Sequence, residues 1–128
     1  MAFRFESLDI WHKARACAGG VYAVISRFPR HEDYGLRSQL NRAVNSVSLN
    51  IAEGSGRSSD KAFDYHLEIA VGSAFEVVSA LFLAQDQGYV TEQEHKISMT
   101  TGNVWQRLSM LSEILCAHSG RQMADGSH

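Results

Sequence analysis

Apolar residues recur at intervals of three and four along most of the chain, the signature of amphipathic helices. A first helix is predicted from about Ser7 to Arg27, with Leu8, Trp11, Arg15, Ala18, Tyr22 and Ile25 on one mostly apolar face. A second runs from about Asp33 to Glu53, its stripe made of Leu36, Leu40, Ala43, Val44, Val47 and Ile51. In the third, Phe63, Leu67, Ala70, Ala74, Val77, Leu81 and Ala84 keep an unbroken heptad. Ile97, Thr101, Val104, Leu108, Leu111 and Leu115 repeat that spacing in a fourth, after which the pattern fades.

Breakers and caps divide these stripes. Pro29 stops the first helix, because the residue before a proline is pushed out of the α region. Gly54 reads as a left-handed stop for the second, and Ser58-Ser59-Asp60 supplies acceptors for the opening amides of the third. Gly88-Tyr89 closes the third helix, and Thr91 with Glu94 has capping-box spacing before the fourth. Gly19-Gly20 is a local defect, tolerable where another backbone comes close. Short connections favour antiparallel neighbours, so the predicted fold is all-α: an antiparallel up-down-up-down four-helix bundle over residues 1–117, with a polar tail over 118–128.

The third helix carries more apolar surface than one bundle needs. Val71, Phe75, Val78 and Phe82 widen its stripe on one side, and Tyr65, Ile69, Ala80 and Leu83 extend it around the circumference. A helix apolar nearly all round must be covered nearly all round. Self-association through Val71, Phe75, Val78 and Phe82 is the expectation.

Composition narrows the class. Apolar residues make up 45% of the 128, which suits a globular domain rather than disorder. One proline in the whole chain fits a few long helices better than a turn-rich β fold. No unbroken run approaches the ~20 apolar residues of a membrane span, and the first residues lack a secretory layout. Cys17 and Cys116 have no metal or redox spacing. A cytoplasmic protein with no cofactor and no membrane contact is expected. Net charge is −2, yet residues 1–61 hold nine Lys/Arg against six Asp/Glu while residues 62–128 hold three against eight. Such asymmetry suits either a polyanion-binding face or complementary subunit surfaces.

Candidate chemistry is sparse. Gln39, Arg42, Ser46, Asn50 and Glu53 form a polar ridge beside the second stripe, suited to a hydrogen-bonded network with His66, Ser73 or Glu76 that fixes helix register. Glu92-x-x-His95 matches a diiron element once, at a helix start, and nothing completes the site. No Gly-x-Ser-x-Gly elbow occurs, and Gly54-Ser55-Gly56-Arg57 lacks the rest of a phosphate loop. Arg37, Arg42, Arg57 and Lys61 lie along the second helix and the turn after it, with Arg27 and Arg30 just before, and are the candidate nucleic-acid contacts.

The stretch Tyr34-Gly35-Leu36-Arg37-Ser38-Gln39-Leu40-Asn41-Arg42-Ala43-Val44 is followed by Asn50-Ile51-Ala52-Glu53-Gly54 and Ile69-Ala70-Val71-Gly72-Ser73-Ala74-Phe75-Glu76. With Phe28-Pro29, these resemble the bacterial four-helix-bundle family of 23S rRNA intervening-sequence proteins over roughly residues 5–115. That family is similar to the accessory variability protein of diversity-generating retroelements, a homopentameric barrel that engages nucleic acid. The resemblance implies a homo-oligomer, in that case a pentamer, whose partner is RNA (rRNA above all) or a ribonucleoprotein, and it implies no catalysis. Gln39, Arg42, Asn50, Glu53 and Glu76 fall on its signature positions, as structural or interface residues. The alternatives are an adaptor that binds protein and never nucleic acid, and a metal-dependent enzyme.

Overall fold

The computed structural model describes residues 3–95, and all regular structure among them is helical. Three long helices are present: α1 (Asp9–Ile25), α2 (Leu36–Ser55) and α3 (Asp60–Asp86). Short 3-10 turns precede the first two, at Arg4–Ser7 and Arg30–Glu32. The predicted fourth helix and the tail over 118–128 lie outside the described residues apart from one helical turn over 92–95.

The helix ends follow local chemistry. The Glu32 carboxylate accepts from the Leu36 amide at 2.8 Å, capping α2 from the preceding turn. Ser59 caps α3, its hydroxyl accepting from the Ala62 amide at 3.1 Å. At the far end Gly88 adopts a φ of +79°, which glycine takes without steric penalty. Its amide bonds to the Gln85 carbonyl and that of Tyr89 to the Ala84 carbonyl, both at 2.9 Å, a Schellman closure. The next helical turn opens on a reciprocal box: the Glu94 amide donates to the Thr91 hydroxyl at 3.1 Å, and the Thr91 amide to the Glu94 carboxylate at 3.2 Å. α1 stops at Ile25, and single turns bonded Arg27 to Val24 and Phe28 to Ile25 carry the chain to Pro29.

α2 lies between the other two helices and forms both principal packing seams. One end of the core joins Val21, Ile25 and Phe28 to Leu40, Val44, Val77 and Leu81; the other joins Ala14 and Cys17 to Val47, Ile51, Leu67 and Ala70. Rising numbers in α1 and α3 therefore meet falling numbers in α2, so α2 runs antiparallel to both. Fully burying side chains such as Leu40, Ile51 and Leu81 contributes about 1.5–3 kcal/mol each. The α3 heptad is buried from Leu67 to Ala84, with Phe63 packed half-buried at its start.

Two expectations are corrected. The buried face of α1 is Ala14, Cys17, Ala18, Val21, Val24 and Ile25, turned by about one residue from the predicted stripe. Arg15 and Tyr22 point outward, Arg15 over the Trp11 ring and Tyr22 to Asn45, because small residues let α1 approach more closely on the Ala14–Val21 side. Gly54, read as a left-handed stop, instead sits inside α2 as a packing glycine. α3 also has an 18-residue window of mean hydropathy 1.8, enough by length and composition to cross a membrane, although no unbroken apolar run announces it. Of that window 44% is buried within the protein.

Candidate nucleic-acid interface

The predicted polar ridge of α2 faces α3. Asn50 Nδ2 donates to the Ser46 carbonyl at 2.8 Å and to its hydroxyl at 3.0 Å, and Ser73 Oγ donates to that hydroxyl at 2.8 Å. Asn50 Oδ1 then accepts from Nδ1 of His66 at 3.2 Å, which places the imidazole proton on Nδ1. His66 is buried, and its Nε2 lies 3.9 Å from the Glu53 carboxylate, which also holds Arg57 at 2.6 Å. Farther along, Gln39 Nε2 reaches Glu76 at 3.5 Å, a weak contact at the seam's exposed end. Arg42 stands apart from this group, exposed on α2 with no hydrogen bond or ion pair among the described residues.

The four candidate nucleic-acid contacts do not form one patch. Arg37 and Arg57 stand at opposite ends of α2, which spans roughly 30 Å at 1.5 Å per residue. Arg37 is half-buried, paired with Asp33 at 3.1 Å and donating to the Phe28 carbonyl, so its charge is spent within the protomer. Arg27 pairs with Glu94 at that same end. Arg57 lies beyond the other end of α2, and Lys61 is exposed in the first turn of α3.

Sequence reasoning passed over the residue that joins this second end. Arg4, in the first 3-10 turn, donates to the Ser55 carbonyl at 3.4 Å, and its guanidinium lies 5.4 Å from the Phe63 ring centre. A cavity of about 290 Å³ lies between this turn and the end of α2, with Arg4 and Arg57 both in its lining beside Phe3 and Phe5. The only signal in the sequence was the alternation Phe3-Arg4-Phe5, too short to read as a motif.

The candidate assembly residues divide. Val71 is buried in the core and Val78 half-buried, so Val71 spends its surface inside the protomer. Phe75 and Phe82 are exposed, Phe82 lying against His95 with ring centres 4.2 Å apart. Tyr65, Leu83 and, on α2, Leu49 are 61%, 53% and 65% exposed. Tyr65 and Leu83 lie ~150° around α3 from the middle of its buried stripe, by the helical step of about 100° per residue.

Among the described residues no group of three or more His, Cys, Asp or Glu side chains is placed to hold a metal ion. Burial pushes the Cys17 thiol up to about 11.

Comparison with known families gives one match, to the model described as 23S rRNA-intervening sequence protein, over residues 6–110. No individually curated protein matches the chain. The match takes in all three helices and most of the polar seam's surroundings, as the motifs along α2 and α3 lead one to expect: the chain belongs to the 23S rRNA-intervening sequence protein family.

Proposed function

We propose that the chain is a non-enzymatic, homo-oligomeric scaffold of the cytoplasm that binds RNA or a ribonucleoprotein. Each protomer is an antiparallel up-down-up-down four-helix bundle in this reading, and five copies close into a barrel. The observation that carries the reading is the outward apolar surface of α3 and α2, where Tyr65, Leu83 and Leu49 stand exposed on faces turned away from their own core. Burying such side chains against another copy is favourable at about 25 cal/mol per Å² of apolar surface. The fivefold count rests on the resemblance of the α2 and α3 motifs to the barrel-forming relatives. Ribosomal RNA as partner is suggested by the family's description and by the basic groups Arg4, Arg42 and Lys61, none of which is ion-paired among the described residues.

The polar seam supports a structural role for Gln39, Asn50, Glu53 and Glu76. The Ser73–Ser46 and His66–Asn50 bonds cross between α2 and α3 and favour one register between them. A gel-shift series at low salt, using structured fragments of an rRNA insert, tests the RNA half. A shift that weakens steeply with added salt is expected, since phosphate neutralisation releases counterions. Absence of any shift, with a protein partner co-purifying instead, establishes the adaptor reading.

A further inference from the structure

We propose that the end of the protomer formed by the first 3-10 turn and the α2–α3 connection is a binding site for an unpaired nucleotide of single-stranded RNA. The inference rests on the RNA reading above and assigns it a place and a substrate class.

Three aromatic rings run as a ladder into this end. The Phe3 and Phe5 rings stack with centres 5.6 Å apart and planes within 6° of parallel, and Phe5 in turn meets Trp11 at 4.8 Å. The Arg15 guanidinium also lies over the Trp11 ring, 5.5 Å from its centre. The ladder stops at Phe3, which is 68% exposed, so the outer face of its ring is open. An aromatic face at the end of a stack is where a nucleobase adds, and stacking tolerates any base because each has a π face.

The surroundings supply the charge for a backbone. Arg4 and Arg57 both line the adjoining cavity of about 290 Å³, and Glu53 lies with Arg57 on the α2 side. The Glu53 carboxylate holds Arg57 at 2.6 Å and offsets its charge, and the Glu6 carboxylate accepts from the Phe3 amide at 2.7 Å, so Arg4 is the principal phosphate donor. Arg4 has guanidinium donors to spare: among the described residues its guanidinium makes one hydrogen bond, the 3.4 Å contact to the Ser55 carbonyl, and a planar guanidinium carries five N–H groups. Lys61 is exposed in the first turn of α3, beyond the same connection. The site thus pairs a stacking surface with a cation, the two elements by which single strands are held without sequence readout. A duplex keeps its bases stacked on each other and cannot offer one to Phe3 without unpairing it.

The test is fluorescence anisotropy of the full chain with a fluorescein-labelled twelve-nucleotide cytidine strand and with a blunt twelve-base-pair RNA duplex, which has no unpaired nucleotide. The single strand is expected to bind at least tenfold more tightly than the duplex. Phe3→Ala should weaken it by roughly tenfold, the scale of one lost stacked base, while Phe3→Trp retains it. Arg4→Gln should weaken binding and flatten its salt dependence. Phe3 is exposed and outside the helices, so circular dichroism of F3A should match the parent. Equal affinity for duplex and strand, or an F3A variant that binds like the parent, overturns the site while leaving RNA binding in place. Failure of both RNAs to bind overturns the site and the RNA reading together.

Discussion

Gly54 of α2 lies so close to His66 of α3 that a Cβ built on the glycine would stand 2.7 Å from the His66 Cβ. The same atom would fall 2.8 Å from Cδ2 of Phe63, and neither neighbour is the loose end of a flexible chain. The glycine is therefore what lets α2 and α3 close on the buried imidazole. Gly54→Ala should lower stability by about 1–3 kcal/mol through overpacking, although alanine is the better helix former by about 1 kcal/mol. Gly20→Ala, whose Cβ meets nothing within 4 Å among the described residues, should instead raise stability by about 1 kcal/mol. Urea midpoints of the two variants should move in opposite directions.

Asn50 is the hinge of the polar seam, donating to Ser46 and accepting from His66. Asn50→Ala strands the buried His66 Nδ1–H and should cost about 1–3 kcal/mol. A double-mutant cycle with His66→Leu should show that most of this cost disappears once the imidazole is gone. Additive losses would mean that the two side chains do not act as a pair.

The thiol of Cys17 is buried on the inner face of α1, and burial raises it from the ordinary 9.0 to about 11. Thiolate is the reactive form, so this shift leaves about a hundredfold less of it at a given pH. In a Cys116→Ser background, maleimide labelling at pH 8 should be slow in the native state and fast in urea. Rapid native labelling would show that α1 opens readily.

Glu94 ties the capping box to α1 through Arg27. The Arg27 hydrogen bond, followed by the Thr91 amide, holds its carboxyl below the usual 4.5. A carboxylate with a depressed native pKa stabilises the fold above its unfolded pKa, and that contribution is lost as pH falls through the native value. Glu94→Gln should therefore melt earlier than the parent at pH 7 and coincide with it once pH drops below the ordinary carboxylate range. Added salt should narrow the neutral-pH difference as well, since the pair is at the surface.

The α3 heptad, the Ser59 cap, the Gly88 closure and the Thr91–Glu94 box were legible because each depends on neighbours within a few residues along the chain. The facing of α1 was less so. Its sequence offers large side chains on one stripe and small ones on the adjacent stripe, and the choice between them is made by how near α2 approaches. Gly54 and Gly19-Gly20 show the same limit from the other side: the sequence marks that a backbone is bare, and only the packing decides which bare position is pressed against a neighbour. Ser73, Glu76 and His66 were identified as partners for the α2 ridge because helical spacing sets their heights. The cavity end was missed because Arg4 reaches Ser55 across 51 residues of chain, a contact that no local pattern encodes.

The account depends on the outward apolar residues of α2 and α3 being hidden by further copies of the chain. Sedimentation equilibrium of the purified protein over a wide concentration range measures this directly. A single species of about 71 kDa, five times the 14.2 kDa chain, is the predicted result, with Leu83→Glu shifting it to smaller masses. A 14.2 kDa species persisting at the highest concentrations, with Leu49, Tyr65 and Leu83 still open to solvent, would contradict it.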